Sequence, residues 1–357
     1  MIKNVIKGSL LAAGCMIFFA CGGGAKKEEA EKKQANVLAD KELLKNAQGY
    51  FQPIDSVAKS EANPLSPAKI DLGHVLYYDT RLSKNGGNSC NSCHNLSTFG
   101  VDNLPTSKGD AGNFGERNSP TVLNAAFHAF QFWDGRSKDV EEQAGMPILN
   151  PVEMAIPSKD FLVKRLKGIK EYQEMFKAAF PDDKDPITYD NIQKAIGAFE
   201  RTLVTRSTFD TYLEGDISAL TPEQREGLKN FIEVGCTTCH NGPNLGGTTF
   251  QKFGVFGDYR TLTNSKTNDE GRKSVTKSDT DKDMFKTPGL RNIAKTHPYF
   301  HDGSVQDLKD AVKIMGKLQL NKDLTDEQIK SIVTFLEALT GDIPEKAKKA
   351  PAVLAQN

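Results

Sequence analysis

Two pentapeptides, "CNSCH" (Cys90 to His94) and "CTTCH" (Cys236 to His240), constrain this chain more than any other feature. Each places two thiols three residues apart and an imidazole directly after the second. A redox Cys-x-x-Cys does not need that histidine. A zinc site would need further Cys or His ligands at suitable spacing, in a chain with only six histidines. The pattern is that of covalent haem attachment, with two thioethers to the porphyrin and the adjacent imidazole as proximal iron ligand. Cys90, Cys93 and His94, and again Cys236, Cys239 and His240, are therefore read as the attachment residues of two c-type haems.

The two remaining cysteines lie at the N-terminus, in "MIKNVIKGSLLAAGCMIFFAC". A lysine-bearing start and a short apolar run predict a signal peptide over 1–21, too short to read as a spanning helix. A cysteine directly after such a run resembles a lipoprotein cleavage site. Cys21 suits it better than Cys15, because the polar "GGGAKKEEAEKKQ" follows and reads as a flexible tether over 22–45. The expectation is a periplasmic protein anchored to the membrane by lipid at Cys21. Lys+Arg and Asp+Glu both number 46, so no net field points to nucleic acid as a partner.

The chain also repeats itself. "SPTVLNAAFHAFQFWDGRSKDVEEQA" (119–144) aligns without a gap on "TPGLRNIAKTHPYFHDGSVQDLKDAV" (287–312). Pro120 meets Pro288, Asn124 meets Asn292, Phe132 meets Phe300, and Asp134-Gly135 meets Asp302-Gly303. Each copy follows a Cys-x-x-Cys-His, so the chain reads as a duplication. The predicted fold is mainly α: two related c-type cytochrome domains over 46–205 and 206–345, each enclosing one covalent haem, and a tail over 346–357. "LTPEQREGLKNFIEVGC" predicts a helix capped by Thr221 and Gln224, with Pro222 first and Gly235 as stop. "LTDEQIKSIVTFLEALTG" predicts a second, capped by Thr325 and Gln328 and running to Gly341. "NIQKAIGAFERTLV" (191–204) predicts a third, with the domain boundary near Arg206.

The segments "LSKNGGNSCNSCHNLSTFGVDNLPTSKG", "RNSPTVLNAAFHAFQFWDGR", "EEQAGMPILNPVEM", "GCTTCHNGPNLGG", "PYFHDGS" and "KIMGKLQL" resemble the bacterial dihaem cytochrome c peroxidases, from about Leu72 to Leu339. The resemblance implies an enzyme that reduces hydrogen peroxide with electrons from a small c-type cytochrome or similar donor. It makes the haem of His240 and Met315 the electron-entry site, and the haem of Cys90, Cys93 and His94 the peroxide site. It assigns Glu153 and Gln143 to the distal pocket and Trp133 to the space between haems. It further implies a calcium ion between the domains, held by Asn118 and main-chain oxygens of Thr296 and Pro298, and a homodimer. In many members the loop after "NLxTS" carries a histidine that ligates the peroxide-site iron in the oxidised enzyme. This chain has Asp110 there and no histidine between His94 and His128. The first iron is thus expected to be open, or water-bound, even when both are ferric.

The residue chemistry is compatible with these roles. A thioether such as that of Met315 suits haem iron. A carboxyl such as Glu153, its pKa raised in an apolar pocket, can move a proton between peroxide oxygens. Gln143 can supply one orienting hydrogen bond. Trp133 is the only tryptophan and occupies the repeat position of His301. Arg117, Arg136 and Arg291 are candidates for haem propionates or for surface pairing. His74, His128 and His297 read as structural, although His128 or Met146 would be the substitute if the first iron took a sixth ligand. Two alternatives to the peroxidase stand: a non-catalytic dihaem electron carrier, and a relative that oxidises another substrate through high-valent haem.

Overall fold

The computed structural model describes residues 23–356. The segment 1–21, expected to be a signal peptide with lipidation at Cys21, lies outside them. Thirteen α-helices are defined among the described residues: α1 (Gly23–Gln48), α2 (Pro67–Tyr78), α3 (Cys90–Cys93), α4 (Val140–Leu149), α5 (Lys159–Lys167), α6 (Lys170–Ala179), α7 (Tyr189–Glu200), α8 (Thr208–Leu213), α9 (Pro222–Val234), α10 (Tyr259–Thr263), α11 (Lys273–Thr276), α12 (Leu308–Leu320) and α13 (Asp326–Glu337). One antiparallel ribbon joins β1 (Phe250–Lys252) to β2 (Met284–Lys286), with Phe250 opposite Lys286. The chain is mainly helical, as the sequence predicts.

Residues from Leu43 onward form one compact unit. The described part of the other unit, up to Glu42, is the first part of α1. Composition reads 22–45 as a flexible tether, whereas α1 is helical from Gly23 to beyond its end. After its opening glycines the segment is almost all Ala, Glu, Lys, Gln and Leu, which lose little side-chain freedom in a helix.

Within the larger unit there are two hydrophobic cores. The first gathers Leu72, Leu76, Ile148, Leu162, Phe176, Ile192, Ile196 and Leu203. The second gathers Phe209, Tyr212, Leu228, Phe231, Ile332, Phe335 and Leu339. The ends of the chain cross over between them. Ala47 and Phe51 pack in the second core, and Ile343 and Ala347 pack in the first.

Each core is built on one helix crossing, and the two crossings match. In the first, α2 packs on α7 and a Cβ added at Gly73 would overlap the Ala195 carbonyl, beside Phe199. In the second, α9 packs on α13 and a Cβ at Gly227 would overlap the Ser331 carbonyl, beside Phe335. Glycine is required at both places because backbone meets backbone there.

The caps are local and follow the sequence. Thr221 and Gln224 bond each other's backbone amides at the start of α9, and Gly235 ends it at φ 103°. Thr325 and Gln328 repeat the device on α13. That helix stops at Glu337, short of the expected Gly341, because the Gly341 amide donates to Asn292 Oδ1 at 3.0 Å.

The repeat in the sequence is a repeat in structure. Asn124 and Asn292 both adopt left-handed backbone, at φ 61° and 62°, and each opens a short 3-10 turn. Their side-chain amides converge on one hydroxyl, Thr205 Oγ1, each at 2.8 Å. All three residues are buried. The Asn118 amide donates to the His301 carbonyl, and at the matching repeat positions the Lys286 amide donates to the Trp133 carbonyl, both at 2.7 Å. Trp133 and His301, repeat mates, meet edge to face with ring centroids 6.4 Å apart.

Replacing Gly227 by Ala should destabilise the holoprotein by about 1–3 kcal/mol, the usual range for overpacking. The check is the urea midpoint, at an unchanged slope, with both haems attached.

Candidate functional site

A cavity lined mainly by apolar side chains lies chiefly in the second half and reaches Asn118, His128 and Trp133 of the first. Cys236, Cys239 and His240 enter it from the turn that follows α9, and Met315 enters from α12. Phe231, Leu290, Leu320, Ile332 and Leu336 supply apolar wall. Two iron-ligand candidates separated by 75 residues in sequence thus share one space, one before and one after the second copy of the repeat. His240 Nδ1 lies 3.1 Å from the Leu245 carbonyl, so the ring donates there and Nε2 is left as the coordinating nitrogen. Burial holds the imidazole pKa below its ordinary value, so the ring is neutral and able to ligate near neutral pH.

The first half repeats the chemistry around α3. Cys90 and Cys93 are half-buried, and no disulfide joins either pair. Burial pushes the thiols of Cys93 and Cys236 up to about 11 and about 12. A redox Cys-x-x-Cys works by lowering such a pKa, so these pairs are not poised for disulfide exchange. Burial likewise keeps His94 below its ordinary range. Its Nδ1 is buried without a hydrogen-bond partner, and the Pro120 carbonyl is close by, as the Pro288 carbonyl is to His240. Paired unbridged thiols and neutral imidazoles at both motifs fit covalent haem, and at the second motif an apolar cavity stands beside them.

Glu153 follows α4 and is half-buried, accepting one hydrogen bond from Asn150 Nδ2 at 3.0 Å. Burial raises its pKa, opposed by Arg136 and Asn150. Its charge reaches Cys93, which places it on the side of the first attachment site. Gln143 is half-buried on α4, as is Met146. Trp133 is half-buried, and its Nε1 donates to the Asn118 carbonyl at 2.9 Å. Trp133, Asn118, Thr296 and Pro298 all line the same cavity as His240 and Met315. The Asn118 side chain itself donates to Leu104 O at 3.0 Å.

Asp110 is tied into the loop that precedes α3. Its carboxylate accepts from Ser83 Oγ at 2.9 Å, Asn85 N at 2.7 Å and Gly87 N at 2.8 Å. Burial works against the charge, but these donors win and hold its pKa below the usual carboxylate value. The Asp110 amide in turn donates to the Glu153 carbonyl at 2.7 Å.

The three arginines have carboxylate partners. Arg291 forms a fully buried fork with Asp210 at 2.7 and 2.8 Å. Arg117 bridges Asp134 and Asp269, and Arg136 pairs with Asp134 while stacking on Phe132. Lys286, which sequence reading did not single out, is the buried cation on the cavity wall. The repeat held the signal, since Lys286 stands at the position of Asn118 in the same ungapped frame.

A family model described as di-haem cytochrome c peroxidase matches residues 67–218. The chain is 46% identical to the cytochrome c551 peroxidase of Pseudomonas aeruginosa, covering 87% of this chain and 88% of that one. It is 43% identical to the cytochrome c551 peroxidase of Nitrosomonas europaea, over 97% and 94%. Among solved structures it is similar to a MauG-like protein associated with microbial copper homeostasis, with a TM-score of 0.74 at 29% identity, covering 84% of this chain and 97% of that one.

A Cys236→Ala, Cys239→Ala double variant should retain one covalent haem where the parent has two. Haem staining and the intact mass of the denatured protein give the count. Retention of both haems would remove the attachment role from these thiols.

Proposed function

The chain belongs to the dihaem cytochrome c peroxidase family and is a peroxidase, an oxidoreductase acting on peroxide; from that premise we propose how its residues divide the work. The reaction is reduction of hydrogen peroxide to two waters with two electrons from a small c-type cytochrome. The two haems, when bound, supply the redox chemistry, one receiving electrons from the donor and the other reducing peroxide. Cys236, Cys239, His240 and Met315 hold the electron-entry haem, and Cys90, Cys93 and His94 hold the peroxide-site haem. The observation that supports this reading is that His240 and Met315 line one cavity, so that an imidazole and a thioether are both available to one haem there. We assign 46–205 and 206–345 to the two functional halves.

Glu153 is the proton-moving group. Its raised pKa lets it take a proton from one peroxide oxygen and return it to the other near neutral pH. Gln143 orients the substrate by a hydrogen bond. Trp133 lies where the two copies of the repeat meet, against His301, and occupies the space between the two sites. Asn118 with the carbonyl oxygens of Thr296 and Pro298 forms the calcium site of the same region. The protein works in the periplasm, lipid-anchored at Cys21, as a homodimer.

Asp110 sets the resting state. Its carboxylate is occupied by Ser83 and by the amides of Asn85 and Gly87, so it is not available to the first iron. The peroxide site is therefore open before any electron arrives.

Glu153→Gln should lower peroxide turnover with reduced cytochrome c by about a hundred- to ten-thousandfold, the range of general acid–base groups. In the parent, the carboxylate form is lost as pH falls through the raised pKa, so turnover should fall with it. A steady-state assay across pH checks both, and full activity in the variant removes Glu153 from the mechanism.

Electron paramagnetic resonance of the fully oxidised protein should show one high-spin ferric haem. Two low-spin haems, with peroxide binding only after one-electron reduction, would overturn the open resting site.

A further inference from the structure

Lys286 is 5% exposed and sits at the end of β2, its amide held by the Trp133 carbonyl at 2.7 Å. Its ammonium lies on the wall of the cavity that contains Cys236, Cys239 and His240. No carboxylate reaches ion-pair distance of it among the described residues. Its one hydrogen-bond partner there is His128, with Nζ 3.2 Å from Nδ1. That is unlike the other basic groups of this region. Arg117, Arg136 and Arg291 are each neutralised by aspartate.

The His128 ring cannot neutralise a charge. Burial and the neighbouring Lys286 hold its pKa well below the ordinary value, so it is a neutral acceptor at Nδ1. It is also fixed in place. A Cβ at Gly247 would overlap ring carbon Cδ2, and one at Gly289 would press on Nε2 at 2.9 Å. The histidine comes from the first copy of the repeat and the lysine directly precedes the second, so the contact locks the ammonium at the junction. Burying an ammonium without a counter-ion is costly, and burial accordingly lowers the Lys286 pKa to about 8. One imidazole acceptor leaves two of its three N–H donors for something else.

The two remaining donors suit an anion that enters this cavity. Haem carries its only negative groups on the porphyrin edge, as two propionate carboxylates. We propose that Lys286 is the counter-ion of a propionate of the second haem, and that His128 is the positioning residue that aims it there. The proposal rests on the assignment of that cavity to the electron-entry haem. The repeat adds a second observation. Lys286 is the mate of Asn118, whose backbone makes the equivalent bond to His301, so the same backbone position carries a lysine charge in one copy and the residue assigned to calcium in the other. Pairing the propionate with a fixed cation disfavours the extra positive charge of ferric iron and so favours electron entry.

The experiment uses the holoenzyme. In Lys286→Met, the ferric/ferrous equilibrium of the second haem, followed by spectroelectrochemical titration, should move about tenfold toward ferric, a fall of about 59 mV for one electron. The propionate bending mode in the resonance Raman spectrum should shift as well. Lys286→Arg should restore both readouts. Should the Met variant fail to fold, Lys286→Gln, which keeps a donor and loses the charge, carries the same test. An unchanged potential and propionate mode in a folded, charge-free variant with both haems attached would overturn the proposal, as would an equal shift in Lys286→Arg. The methionine-to-iron charge-transfer absorption of the parent reports the Met315 assignment separately, so failure of that premise is distinguishable.

Discussion

Two backbone-on-backbone helix crossings hold this structure, at Gly73 over Ala195 and at Gly227 over Ser331. Each brings a pair of helices closer than any side chain would allow. Each sets a large aromatic, Phe199 or Phe335, against the glycine. The second crossing also decides where the cavity is. With α9 and α13 fixed, Cys236 leaves the end of α9 at the cavity edge while Ile332 and Leu336 of α13 form its wall. The place of the cavity is thus downstream of the absence of one methyl group, at Gly227.

The seam between the copies is polar, and its central hydroxyl is shared by both. Thr205 Oγ1 accepts from both repeat asparagines, its own amide donates to Asn124 Oδ1 at 2.9 Å, and Asn292 Oδ1 takes the Gly341 amide. One hydroxyl therefore ties the two cores with directional bonds, which specify a single arrangement in a way that apolar contact does not. The edge-to-face pair of Trp133 and His301 lies in the same region of matched backbone bonds.

Charge is distributed with similar economy. Asp210 accepts the Arg291 fork together with the amides of Ile54 and Ser207, so a buried pair is surrounded by donors that keep it ionised. Glu141 and Arg201 form another close pair between α4 and the end of α7. Against that background a buried lysine with only an imidazole partner stands out, and it lies in the cavity wall.

The sequence by itself determined the features whose information is contiguous. The two Cys-x-x-Cys-His motifs, the capping boxes of α9 and α13, the glycine stop at Gly235 and the ungapped repeat are each written within a few tens of residues. Local backbone chemistry is enough to read them. Helix ends were less legible where a terminal residue was recruited elsewhere, as Gly341 is by Asn292. Composition read 22–45 as a tether although its residues favour a helix, because polar and helix-forming are the same letters there. Only the tertiary structure decided the partners. It gave the three arginines to Asp134, Asp210 and Asp269, drew Asp110 to Ser83, Asn85 and Gly87, and left Lys286 with His128. Most of these contacts join residues far apart in sequence. A charged residue in a sequence carries no mark of which opposite charge reaches it first, because that is settled by helix crossings and turns that no single segment encodes.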